Sequence, residues 1–177
     1  MSQVQILKIM VIGNAAGGKT LLSKRLSEKL SLPLLHIDSI QFLPGMKIRP
    51  HHESIKYLRD FARQEKWVMD GFGPLDLIEE RLLIADRILF IDLPVWRHLL
   101  WALKRQIQNI WRPRAELPEG CNELSIQQTT KLLRSIWITH KKMRPELLKI
   151  MNREHLKSKV IRIQNLNDWK RCYRDGI

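Results

Sequence analysis

Cysteine is nearly missing: Cys121 and Cys172 are the only two among 177 residues. They stand far apart without a CxxC partner, which excludes a disulfide framework and a cysteine-based zinc site. No run approaches the roughly 18 apolar residues of a membrane span. Met1-Ser2-Gln3 leads straight into the first apolar segment, so no secretory leader and no membrane association are expected, and the expected compartment is the cytosol. Internal repeats and low-complexity tracts are lacking, as are helix-turn-helix and finger signatures. Acidic residues are scarce in one half only. Residues 1–93 hold 13 Lys and Arg against 11 Asp and Glu, a balance of +2; residues 94–177 hold 18 against 7, a balance of +11. A polyanion such as nucleic acid is one partner this asymmetry admits. Because the basic residues are dispersed along helices without a dense run, a solvated helical surface with arginines gathered near phosphates is the preferred reading.

What is present supports one domain over residues 1–177: 44% of the chain is hydrophobic, enough for a full core. The chain is organised around Gly13-Asn14-Ala15-Ala16-Gly17-Gly18-Lys19-Thr20, which satisfies G-x-x-x-x-G-K-[ST] at every fixed position. Glycines let successive backbone N–H groups converge on phosphate oxygens. Lys19 brings a charge to the β- and γ-phosphates, and the Thr20 hydroxyl is placed to ligate Mg²⁺. Ile6-Leu7-Lys8-Ile9-Met10-Val11-Ile12 before it suits a buried parallel strand. After it, Leu21, Leu22, Leu26 and Leu30 recur at helical spacing, so a helix N-terminus points its unpaired amides at the anion. Residues 13–21 are therefore the expected nucleotide-binding segment.

Further along, Leu34-Leu35-His36-Ile37-Asp38 reads as a second strand ending in a carboxylate at the edge where α/β sites lie. Asp38 is a candidate to orient an acceptor hydroxyl, take its proton or hold metal-bound water, or to cap the next turn. Residues 39–50, with Pro44-Gly45 and Pro50, read as a loop over the phosphate site, with Arg49 available to an acceptor's charge. An amphipathic helix is expected over 51–66. His51 and His52 are adjacent, so they do not share a helix face as metal ligands would. Trp67-Val68-Met69-Asp70-Gly71 is the third strand, and Asp70 is the acidic group expected to support Mg²⁺ opposite Thr20. Residues 75–85 read as a helix carrying Arg81, and 87–92 as the fourth strand, with Asp92 capping the helix that follows Pro94.

Trp96, Leu99, Leu100, Leu103, Ile107 and Ile110 form an apolar stripe over 95–110, expected to pack on the core. Residues 111–123 break that periodicity with two prolines and a glycine. A movable segment carrying Arg112 and Arg114 suggests a lid that closes over a transferring phosphoryl group. Residues 124–156 read as two helices divided near Arg144-Pro145, with Trp137 and Leu148 in the core. Residues 160–163 form the last strand and 164–168 a polar loop able to face a base. The alternation gives a three-layer, parallel α/β domain.

The loop at 13–20, with Val68-Met69-Asp70-Gly71-Phe72, Ala85-Asp86-Arg87-Ile88-Leu89-Phe90-Ile91-Asp92-Leu93-Pro94, Leu103-Lys104-Arg105, and Arg114 through Gly120-Cys121-Asn122-Glu123, resembles the adenylate-kinase-related P-loop proteins often labelled DNA topology modulation proteins. The resemblance covers most of the chain. It implies the P-loop NTPase fold of nucleoside and nucleotide kinase type, a five-stranded parallel sheet in order 2-3-1-4-5, a short lid, ATP and Mg²⁺. Arg105 falls where a lid-base arginine meets the ATP phosphates. Trp101 falls where an arginine stacks on adenine, and either stacks there itself or packs in the core. Ala16 stands where a glycine is usual. Gly73-Pro74 replace the Pro-Arg that would bind an acceptor's phosphate, which disfavours AMP as acceptor. The expected function is transfer of the γ-phosphoryl group of ATP to a small nucleoside, nucleotide or related acceptor. Lys19, Asp38, Arg105, Arg112 and Arg114 are the expected catalytic residues, and Thr20 and Asp70 the metal site. The alternative is a nucleotide-dependent DNA-binding regulator that uses the basic second half.

Overall fold

The computed structural model describes residues 6–44, 47–73, 75–109 and 126–177. Arg112, Arg114 and the expected lid lie outside them, as does Cys121. Five parallel strands form the central sheet: β1 (Lys8–Gly13), β2 (Leu34–His36), β5 (Trp67–Asp70), β6 (Arg87–Ile91) and β7 (Val160–Ile163). Their order is β2-β5-β1-β6-β7. The numbers differ from the expected 2-3-1-4-5 because two short strands, β3 (Phe42–Leu43) and β4 (Lys47–Ile48), intervene in the chain and pair with each other as a separate hairpin; the five sheet strands counted alone run in that order.

Strand alternation sorts the core into two sides. Met10, Ile12, Met69, Ile88 and Phe90 pack on one side with Ile37, Leu58, Leu82 and Met151. Ile9, Val11, Val68, Leu89 and Ile91 pack on the other with Leu22, Leu26 and Cys172. These strand residues are almost continuously apolar because both faces of a parallel sheet are covered. The second side is covered by α1 (Lys19–Leu30) and α9 (Leu166–Asp175); the first by α2 (Ile37–Gln41), α3 (His51–Ala62), α4 (Ile78–Ile84), which a 3₁₀ turn (Leu75–Leu77) precedes, and α7 (Arg144–Met151) with α8 (Glu154–Lys157). Truncating a fully buried residue such as Leu22 to Ala would cost about 2–5 kcal/mol.

Several local expectations change. β2 stops at His36, and Asp38 lies in the first turn of α2 instead of ending a strand. The expected loop at 39–50 is the end of α2 plus the β3–β4 hairpin, fixed where Arg49 N donates to Gln41 O at 2.9 Å. The expected loop at 164–168 is the start of α9: Asn165 Oδ1 accepts from Asp168 N at 2.9 Å and caps the helix.

The two helices of the second half also depart from expectation. In α5 (Val95–Asn109), Trp96, Leu100, Leu103 and Ile107 are 44–64% exposed, while His98 and Ala102 are buried. The helix is amphipathic as read, but its other face packs inward. Beyond α6 (Ile126–Ile138), one π-turn (Thr139–Met143) leads into α7, with the proline in its first turn where a missing N–H costs no bond. Trp137 is half exposed, and Ile136 takes the buried place beside it. Among the described residues no helix is long and apolar enough to cross a membrane.

Candidate functional site

β1 delivers the chain into the loop at the C-terminal edge of the sheet. Gly13 pairs in register with Ile91, and a Cβ on Gly13 would lie 2.5 Å from Ile91 O, so the close approach of β6 requires glycine. Gly18, at φ 80°, turns the backbone into α1 with its N–H groups facing the loop's interior. Ala16 adopts φ 55°. That left-handed conformation explains why glycine is usual there, and holding it with alanine costs about 1 kcal/mol.

The loop is braced from outside. Lys19 Nζ donates to Asn14 O at 2.9 Å, spanning the loop from end to start. Asn14 Nδ2 donates to Ile136 O at 2.8 Å, tying the loop to α6. His98, 1% exposed on α5, lies with Nδ1 2.9 Å from Ala15 O. Burial holds the His98 pKa below its ordinary value against the opposing pull of that carbonyl, and Lys19 lowers it further. A neutral imidazole must therefore carry its proton on Nδ1 to make the bond. A Cβ on Gly17 would lie 2.8 Å from His98 Cε1, so glycine there lets the ring reach the loop. Sequence reasoning missed His98. The only signal available was a polar residue opposite the exposed apolar stripe.

Residues Ala15, Ala16, Gly17, Gly18, Lys19, Thr20 and Leu21 line one side of a cleft of about 1030 Å³. The cleft brings together Thr20, Asp38, Asp70, Trp101 and Arg105. Its charged lining is Lys19, Lys24, Lys104, Arg105 and Lys131 against Asp38 and Asp70, a cationic balance suited to a polyphosphate. Trp101 also packs on the core cluster behind α1, as the core reading of that residue expects.

Asp70, 4% exposed, ends β5 beside β1. Ser23 Oγ lies 2.8 Å from its Oδ2 and His36 Nδ1 3.0 Å from its Oδ1, so both oxygens are held in place. Each oxygen keeps a further lone pair. With the Thr20 hydroxyl, this donor set fits Mg²⁺, which takes most of its ligands from phosphate and water. Neither Ser23 nor His36 was singled out from sequence, because both act through a tertiary contact.

Two arginines stand outside the lining of the cleft. Arg49 Nε donates to Ile40 O at 2.7 Å, Nη1 pairs with Glu53 at 3.3 Å, and the guanidinium lies over Tyr57. Arg81 is buried and donates from Nε to Leu77 O at 3.2 Å and from Nη2 to Phe72 O. Burial lowers its pKa to about 10, against the pull of Asp76 and Glu80. Asp92 does not act as the expected helix cap: its oxygens take Arg144 Nε at 2.5 Å and Arg162 Nη2 at 2.6 Å. That buried pairing welds α7 to β6 and β7.

No protein-family model and no curated protein matches this chain. Solved structures do. A shikimate kinase from Acinetobacter baumannii, in complex with shikimate, is similar at TM-score 0.55 and 18% identity, over 82% of this chain and 80% of that one. A shikimate kinase from Bacteroides thetaiotaomicron is similar at TM-score 0.51 and 15% identity, over 88% and 94%. TT1252 from Thermus thermophilus is similar at TM-score 0.54 and 13% identity, over 97% and 96%. The chain shares the α/β fold of these structures.

Proposed function

We propose that the chain is an ATP-dependent phosphotransferase acting on a small-molecule acceptor. The observation that carries this reading is the cleft itself, which the braced loop at 13–20 and Asp38 line together. In the proposed reaction an acceptor oxygen forms a bond to the γ-phosphorus as the bond from that phosphorus to the β,γ-bridging oxygen breaks. ADP leaves with the bridging oxygen and its electron pair, and the acceptor's proton passes to the Asp38 carboxylate. Lys19 and the amides of residues 15–20 hold the phosphates, and Arg105 meets the charge of the transferring group. Thr20 and Asp70 would hold Mg²⁺, which supplies charge neutralisation at the phosphates when bound. Arg112 and Arg114, outside the described residues, are proposed to close over the site. Water is thereby kept from competing with the acceptor. The test is acceptor-dependent ADP release: Asp38→Asn should abolish it while leaving ATP affinity unchanged, and retained turnover would remove Asp38 from the chemistry.

A second reading, nucleotide-dependent DNA binding, has one observation in its favour. The described residues 94–109 and 126–145 include Arg97, Lys104, Lys131, Arg134 and Lys141 and not one Asp or Glu. Against it, the exposed face of α5 is apolar apart from Lys104, and an apolar stripe gives phosphates nothing to bind.

A further inference from the structure

The two walls of the cleft differ in charge. All five cations in its lining stand on the phosphate loop, α1, α5 and α6. The opposite wall, built from β2 through the turn after β5, contributes Asp38, Gln41, Phe42 and Phe72 alongside Asp70 and the glycines Gly71 and Gly73. Among the described residues none of its lysines or arginines reaches the lining. Arg49 is bonded to Ile40 O and Glu53 and lies over the Tyr57 ring, and Arg81 is buried beneath the wall against Phe72 and Gly73, 3% exposed and bonded to Leu77 O and Phe72 O.

This arrangement sets a chemical requirement on the acceptor. An acceptor bearing its own phosphate or carboxylate would put that anion against Asp38 with no cation on the same wall, at the cost of an uncompensated desolvated charge. Two half-buried phenyl rings in the lining, Phe42 and Phe72, supply instead the apolar surface that suits a planar ring. Gln41 in the same lining carries both a donor and an acceptor that suit a ring edge, and the Asp38 carboxylate is an acceptor that suits a hydroxyl. Gly71, at φ 110°, makes the turn beside Asp38, where a Cβ would press on Ile37 Cβ at 3.2 Å.

We infer that the acceptor is an uncharged hydroxyl compound carrying a planar ring, of the nucleoside class, in preference to a nucleoside monophosphate or a hydroxy acid. The inference rests on the phosphotransferase reading above. It separates this chain from its structural neighbour bound to shikimate, a carboxylate.

The experiment incubates the full chain with ATP·Mg²⁺ and, separately, ribo- and deoxyribonucleosides, their 5′-monophosphates, and shikimate, reading both ADP and phosphorylated product. At least one nucleoside should be phosphorylated with kcat/KM at least about tenfold above its own monophosphate, the scale of one unpaired charge or lost stack. Phe72→Leu should raise KM for that nucleoside about tenfold without changing KM for ATP. Gln41→Arg should shift preference toward the monophosphate by supplying the missing cation. A monophosphate or shikimate preferred over every nucleoside would overturn the inference and leave the phosphotransferase reading standing. ADP release unaffected by any acceptor, with ATP bound, would overturn both.

Discussion

His98 and Ala15 are joined across 2.9 Å, imidazole Nδ1 to carbonyl oxygen, although one lies on α5 and the other in the phosphate loop. The bond fixes the loop's shape from a helix that also carries Trp101 and Arg105 into the cleft. His98→Ala should therefore reduce ATP affinity about tenfold and cost about 1–3 kcal/mol of stability, the scale of leaving a buried partner unsatisfied. Calorimetric titration and a melting curve on the same variant measure both, and an unchanged affinity would reduce His98 to a core residue.

The same ring predicts a pH dependence. Its folded pKa lies below the unfolded value of 6.5, because burial disfavours the charged form. As pH falls through 6.5 the unfolded chain takes up the proton first, so stability falls with pH until the folded pKa is passed. His140 is shifted in the same direction and adds to the slope. Denaturant titrations from neutral pH to about pH 5 should show stability dropping, with a shallower drop in His98→Asn. Identical slopes in the two proteins would contradict the assignment.

Lys19 and the fold are separable. Its amine bonds to the Asn14 carbonyl at the loop's surface and contributes little to the core, whereas the proposed role of its charge is to meet the phosphates. Lys19→Ala should lose ATP binding with its melting temperature nearly unchanged. Equal ATP affinity in folded native and variant proteins would refute the phosphate cradle.

Asp92 is a structural carboxylate. Arg144 and Arg162 are each about a third exposed, so screening lessens what the pair contributes. Asp92→Asn should nevertheless destabilise the chain by about 2 kcal/mol, since two guanidiniums would then face each other without an anion. Denaturant midpoints test this; loss of turnover at unchanged stability would instead give Asp92 a catalytic role.

If the basic helices bound duplex DNA, affinity should fall with salt at a slope near −0.9 per phosphate contact on logarithmic axes. Only weak binding is expected, abolished at physiological ionic strength. A salt-resistant, sequence-selective complex would favour the regulator reading.

The phosphate loop was legible because its pattern is local and its flanks carry the strand and helix periods in order. Asp70 was legible for a similar reason, at the end of a short apolar run. The packed face of α5 was not: periodicity locates an amphipathic stripe but not the side the protein covers, and here the covered side holds His98 and Ala102. The start of α9 read as a loop because polar residues that cap a helix are also turn residues, and only the Asn165 to Asp168 bond distinguishes them. The β3–β4 hairpin has two-residue strands, too short for an alternating pattern. Ser23 and His36 acquire meaning only once β2 and α1 converge on Asp70.

The most direct measurement of the central claim follows the label of γ-³²P ATP in the presence of Mg²⁺ and the nucleoside panel. Label should leave ATP for an organic acceptor, and this transfer should disappear in Asp38→Asn and fall at least about a hundredfold in Arg112→Ala with Arg114→Ala, the scale of losing one preorganised donor. Label that stays on ATP, or is released only as inorganic phosphate whatever acceptor is present, would contradict that claim.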